Sequence, residues 1–376
     1  MNSAEEPPPP PPPRRGRTIL AVALSVIGVL IAVVLIAGFL IHLPYVIISS
    51  GFATPLDDKV ITVDGAQTYD HRGNVLFLTV RVTTHDPTVW RVVTSWFDPD
   101  REVVKRTTVI GCLSDAENIA VNAQLMQRSQ DDAKNLALTH LGYTVEASAP
   151  EFIVAEVCPG SPAYGTLRAG DSLLAIDDHA VTQLADVRPL VQQHRPGEPT
   201  SVTYSRGGTT ETAKVVTGRI AKEGRACVTA PRSTKGSACL GLTMDPEPFV
   251  TYRFPIDVTI DTQKVGGPSA GLAFTLAIID DLTPGNLTGG MRVAVTGTIA
   301  SNGAIGPVGG VEQKAITARH NGVSLMIVPK SELMDARNGA GNVRVIGVDT
   351  IDEALAALQR AGGAPVPPAS PVAARS

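Results

Sequence analysis

Gly266-Gly-Pro-Ser-Ala-Gly271 stands between the strand-like run Phe254-Pro-Ile-Asp-Val-Thr-Ile260 and the apolar run Leu272 to Asp280. Two glycines let the backbone approach a neighbour closely, and Pro268 carries the φ of a first helical turn. The stretch therefore predicts a strand, a tight turn and an apolar helix. Ser269 would then lie at the positive end of the helix dipole, beside backbone N–H groups able to hold an oxyanion. Taken alone, the hexapeptide fits a close-packed turn with an ordinary helix-start serine better.

Working outward, the chain from about Cys239 to Ala361 alternates strands and helices. Arg292-Val-Ala-Val-Thr296 reads as a strand, and a glycine-rich loop follows from Asn302 to Gly310. Val311 to His320 predicts a helix stopped by Asn321-Gly322. Strands at Ser324–Pro329 and Asn342–Ile346 and a helix at Ile351–Arg360 complete the pattern.

A nucleophilic serine needs a base, and none of the seven histidines has a fitting context. His42 abuts an apolar segment, His71, His85, His140, His179 and His194 fall in other segments, and His320 is near a helix end. No G-x-S-x-G or G-N-S-G-G context occurs either. Lys314 is the better partner: it lies among Ala315, Ile316 and Ala318, where desolvation would favour the neutral amine. On these residues alone, an ordinary surface lysine is the better fit.

The combination is more specific. Gly266-Gly-Pro-Ser269-Ala-Gly, Thr296-Gly-Thr-Ile299 and Gly306-Pro-Val-Gly-Gly-Val-Glu-Gln-Lys314-Ala, in that order, resemble the proteolytic domain of Lon proteases. The resemblance implies a Ser–Lys dyad, with Ser269 as nucleophile and Lys314 as general base. It also implies supporting roles for Gly267, Pro268 and Ala270 around the serine, and for the Thr296 hydroxyl in orienting the lysine amine. No G-x-x-x-x-G-K-[ST] phosphate loop occurs in the sequence, so no nucleotide, cofactor or metal is expected.

Upstream, Phe152-Ile-Val-Ala-Glu-Val157, Gly160-Ser-Pro-Ala163, Leu167-x-x-Gly170-Asp171, a helix near Leu184 to His194 and two strands around Gly207-Gly208 resemble a bacterial PDZ domain. The resemblance implies that Leu141, Gly142, Tyr143 and Thr144 present backbone N–H groups to a peptide carboxylate, the peptide adding as a strand. Before it, Lys59–Val63, Asn74–Val82 and Val89–Thr94 read as strands. Ser114 and Glu117 have capping-box spacing at the start of a helix running to Gly142.

Ile19 to Ile41 carries no charge and spans roughly 35 Å as a helix, enough for a bilayer core. Arg14, Arg15 and Arg17 precede it, which predicts a cytoplasmic N-terminus and an extracytoplasmic remainder. Pro7 to Pro13 predicts a polyproline II tail, and Gly362 to Ser376 a disordered one. The sequence thus reads as an α+β multidomain chain: tail 1–18, transmembrane helix 19–41, a β-rich and helical region 45–141 packing on later domains, a PDZ domain 142–220, a Lon-type α/β domain 221–361 and a tail 362–376. This layout resembles the bacterial membrane-anchored PDZ–Lon family (YlbL-like), in which Met126-x-x-Ser129-Gln130-x-x-Ala133 also recurs.

The 376 residues carry 32 Lys+Arg against 36 Asp+Glu, a balance that argues against a nucleic-acid partner. Cys112, Cys158, Cys227 and Cys239 allow three pairings, and a bridge closing the short loop from Cys227 to Cys239 is plausible in an oxidising compartment. The expected function is a membrane-anchored, ATP-independent serine endopeptidase of extracytoplasmic proteins, its PDZ domain selecting or gating substrate tails. Related domains form six-membered rings, so a homo-oligomer is reasonable. The rival is a non-catalytic PDZ/Lon-like binding scaffold.

Overall fold

The apolar N-terminal run forms helix α1 (Arg15–Leu40). Its stretch Val22–Leu40 has a mean hydropathy of 2.9 and is long and apolar enough to cross a membrane. The computed structural model describes residues 15–70, 74–220, 227–231, 236–263 and 265–367. The Pro7–Pro13 run, Arg14, His71 and the tail beyond residue 367 lie outside the described residues.

Shortly after α1 come β1 (Tyr45–Pro55), β2 (Ile61–Asp64) and β3 (Asn74–Val82). The run Val89–Thr94, expected as a strand, is instead helix α2 (Val89–Trp96). The Thr88 hydroxyl caps it by accepting from the Arg91 N–H, and Val92 and Ser95 turn inward together, so the cap and the packing override the β preference of valine. β4 (Arg101–Lys105) leads to the long helix α3 (Asp115–His140), which opens on the Ser114–Glu117 capping box.

The next unit holds β5 (Val154–Val157), β6 (Ser172–Ile176), helix α4 (Leu184–Gln192), β7 (Pro199–Arg206) and β8 (Thr209–Val216). Asp177 and Asp178, both at positive φ, turn the chain after β6, and Gly207-Gly208 turns it between β7 and β8. A later strand, β9 (Leu242–Met244), pairs antiparallel with β5. Ala238 and Leu240 are buried beside Phe152, Val154 and Val191. Residues 238–244, grouped by sequence with the proteolytic region from 221 onward, therefore pack into this earlier unit.

Then follow β10 (Asp257–Ile260), α5 (Gly271–Leu282), β11 (Arg292–Val295), α6 (Val311–His320), β12 (Leu325–Pro329), α7 (Leu333–Ala340), β13 (Arg344–Val348) and α8 (Ile351–Arg360). One six-stranded sheet has the order β13-β12-β11-β3-β1-β4. The first four strands are parallel, and β1 runs antiparallel between β3 and β4. The 45–141 region is therefore more than a pack-on layer: it supplies three strands of the sheet.

Alternate residues face opposite ways, as the pleat requires. Val75, Phe77, Val293, Val295 and Ile327 meet α5, α3 and α8, while Leu78, Ala294, Met326 and Val328 meet α6 and α7. Every residue of α5 from Gly271 to Asp280 is buried, because the helix is covered by the sheet on one side and α3 on the other. The C-terminal ends of β3, β11 and β12 lie at the end of the sheet where β1 starts, the end from which α1 departs.

Both cysteine pairs are disulfides, Cys112–Cys158 and Cys227–Cys239, the first tying the segment before α3 to the β5 end of the next unit. The expectation of disorder from Gly362 onward is corrected for the first residues of that tail. Gly363 N–H donates to Leu358 O, Ala364 N–H donates to Asn286 O, and Val366 packs on the core. A Cβ on Gly363 would lie 2.0 Å from Leu287 O, so the glycine permits this close approach.

Candidate functional site

The Ser269 turn is gripped from two sides. From α3, Asn122 O accepts from the Gly267 N–H at 2.8 Å and the Ser129 hydroxyl donates to Pro268 O at 2.9 Å. From the end of β11, the Thr296 hydroxyl and the Gly297 N–H both donate to Ser269 O, at 3.1 and 3.0 Å. Gly267 takes a φ of 93°, which a side chain would strain. A Cβ on Gly271 would lie 2.8 Å from Ile299 Cγ2 and 2.9 Å from Ser129 Oγ, so the crossing of α3 over the turn needs glycine there.

Helix α5 begins at Gly271 with buried Ala270 as its N-cap, so Pro268 precedes the helix instead of occupying its first turn. Ser269 is half-buried just outside that N-terminus. The hydrogen bonds that fix the turn run through the Gly267 N–H, Pro268 O and Ser269 O. Thr296 is fully buried, and its proton is committed to the serine carbonyl; its hydroxyl oxygen keeps lone pairs for a second donor.

Lys314 lies in the first turns of α6, on the opposite face of the sheet from α5. Its side chain is only 2% exposed. Burial lowers its pKa from 10.5 to about 7, partly opposed by the negative charge of Glu332. The helix starts from Gly310 in a left-handed conformation, and a Cβ there would come within 3.0 Å of Val80 and 3.2 Å of Ile48. Glu332 is held nearby by the Val308 N–H at 2.8 Å, and burial raises its carboxyl above the usual range.

Three residues of this site carry weak sequence signals. Ser129 and Asn122 face the Ser269 turn from a helix more than a hundred residues upstream; the legible sign is the Ser129-Gln130 pair inside the stripe Met126, Ala133, Leu136 and Ala137. Glu332 stands in a short 3₁₀ turn after β12 with no motif around it.

The expected peptide loop is corrected. Leu141, Gly142 and Tyr143 donate their N–H groups to Ala137 O, Thr139 O and Leu138 O, closing the C-terminus of α3. Leu141 and Tyr143 pack on the main core, so these donors are spent and do not face a carboxylate. Thr144 is exposed beyond the cap. Among the described residues, the one grouping with metal-ligating atoms is Cys112, Cys158 and Glu156. Its sulfurs are bonded to each other, and Glu156 accepts from the Cys112 N–H.

The family profile for the Lon protease (S16) C-terminal proteolytic domain matches residues 202–360, and that for the PDZ domain matches residues 139–217. The chain joins a PDZ domain to a Lon-type proteolytic domain. This PDZ–Lon chain is 29% identical over 178 residues to the Lon protease of Haemophilus influenzae, covering 43% of the chain and 22% of that protein. It is 30% identical over 144 residues to the Lon protease of Chloroflexus aurantiacus, covering 37% of the chain and 17% of that protein. The PDZ–Lon chain thus matches about a fifth of the length of these relatives. The crystal structure of the PDZ domain of an SdrC-like protein from Listeria monocytogenes aligns with 25% of the chain and 86% of its own length, at 22% identity and a TM-score of 0.21.

Proposed function

We propose that this chain is a membrane-anchored serine endopeptidase that cuts peptide bonds with Ser269 and Lys314 and needs no nucleotide. The observation that carries the reading is the buried Lys314, whose amine is held near pKa 7 in the domain that also carries the Ser269 turn. The neutral amine takes the Ser269 Oγ proton as the oxygen attacks the scissile carbonyl. N–H groups at the start of α5 hold the resulting oxyanion. The Lys314 ammonium returns the proton to the leaving amine, and the acyl-serine ester remains. Water then attacks the ester, giving its proton to Lys314; the ester C–Oγ bond breaks as the Lys314 ammonium returns that proton to Ser269 Oγ, and the peptide acid leaves.

Two bonded cysteine pairs support an oxidising, extracytoplasmic location for the body, and the arginines before α1 support a cytoplasmic N-terminus. In the PDZ unit, β9 pairs with a single neighbour, β5, among the described residues. An incoming peptide would therefore add along β9 and not at residues 141–143. The full chain in vesicles is expected to cleave unfolded casein at the same rate with and without Mg-ATP. Cleavage that appears only when ATP is added would refute a motor-free enzyme.

Ser129 is proposed as a positioning residue for the catalytic turn. Ser129→Ala removes the bond to Pro268 O and is expected to lower kcat by about tenfold or more, leaving KM little changed. Steady-state kinetics on one peptide read this directly, and an unchanged kcat would show that the turn holds without it.

A further inference from the structure

We infer that the body is seated on the bilayer by a second contact beside α1, the Trp90 face of α2, and is not suspended from a loose tether. This rests on the reading of α1 as a membrane anchor. The Trp90 indole N–H donates to Leu35 O at 2.8 Å. Leu35 lies five residues before the end of α1, so the ring reaches about 7.5 Å below that end at 1.5 Å per residue. The nitrogen end of the indole also packs against Gly38, where a Cβ would fall 2.1 Å from that nitrogen. A tryptophan bonded at that level of a spanning helix must enter the boundary between acyl chains and headgroups, the depth tryptophan prefers.

The connection is stiff. Leu43 N–H donates to Pro87 O at 2.9 Å, Val89 N–H donates to Ile41 O at 3.1 Å, and His42 bridges Thr88. No free linker separates α1 from β1. Trp90 is only half-buried by this packing, and the next residue, Arg91, is exposed, so a ring face and a guanidinium remain for lipid and its phosphate. The seat also fixes the orientation of the catalytic end. Ile48, which touches the Gly310 turn before Lys314, is three strand residues from Tyr45, about 10 Å along β1.

The chain has two tryptophans, so Trp96→Phe leaves Trp90 as the sole indole. This variant is reconstituted in phosphatidylcholine/phosphatidylglycerol vesicles with bromines near the headgroup or near the bilayer centre, and flotation is measured on the same samples. The expected result is a loss of about half or more of the emission with shallow bromines and less with deep ones. Gly38→Ile, which displaces the indole, should abolish that quenching while the protein still floats. Protein that floats with Trp90 unquenched by either lipid overturns the seat and leaves the anchor intact. Protein that does not float overturns the anchor reading and this one with it.

Discussion

Lys314→Met is expected to abolish proteolysis and, in the same variant, to raise the stability of the fold. Deleting a buried group ordinarily costs stability, but here the group removed is a charge kept out of water. The folded-state pKa of about 7 lies far below the ordinary 10.5. Between those values the unfolded chain binds more protons than the folded one, so stability rises as pH climbs from 7 to 10.5. Below pH 7 the whole penalty applies, about 5 kcal/mol. Methionine fills much the same buried volume with no charge to desolvate. Denaturant unfolding at pH 6 should therefore show a large gain for the variant, shrinking towards zero near pH 10.5. In the active enzyme the same titration predicts a cleavage rate that rises with pH through about 7, as the amine loses its proton. A variant less stable at pH 6, or one that still cleaves, would contradict the role given to this lysine.

Ser269→Ala is expected to reduce cleavage by at least about 10⁴-fold while leaving the unfolding midpoint within about a degree. The turn is fixed by the Gly267 N–H and by the carbonyls of Pro268 and Ser269, all of which survive the substitution. The contrast with Ser129→Ala is informative, since that change alters the position of the hydroxyl and this one removes it. Single-turnover cleavage of one peptide separates the two cases. Residual activity of Ser269→Ala within about tenfold of the parent would point to another nucleophile.

The proteolytic half was legible because its signals are local. The Gly-Gly-Pro turn marks the start of α5, Asn321-Gly322 stops α6, and Ile351–Arg360 is a helix with the bounds its pattern predicts. Burial of α5 on all sides leaves no helical period to read, so only the turn before it announced the helix. What the sequence hides is pairing across long separations. Val293 lies beside Val75 in the sheet, and nothing in the 45–82 stretch says that its partners come more than two hundred residues later. The run Val89–Thr94 has the composition of a strand, and its helical state turns on Thr88 as a cap and on the contact of Trp90 with α1.

Residues 141–144 show a different limit. The apolar stripe of α3 predicts a stop at Gly142, whereas the PDZ resemblance asks the same N–H groups to bind a carboxylate. Each donor serves once, and helix closure takes those of Leu141, Gly142 and Tyr143. Ser129 is marked only by the block Met126-x-x-Ser129-Gln130-x-x-Ala133, and its role is hidden because Pro268 lies far along the chain; Glu332, which acts on Lys314, carries no motif at all.

The most direct test is a ¹³C titration of the Lys314 side chain in the folded full-length protein, its resonance assigned by its absence from the Lys314→Met spectrum. A midpoint near 7, matched by the pH dependence of peptide cleavage, is the predicted result. A midpoint near the ordinary 10.5 would leave the amine charged at neutral pH and unable to accept the serine proton.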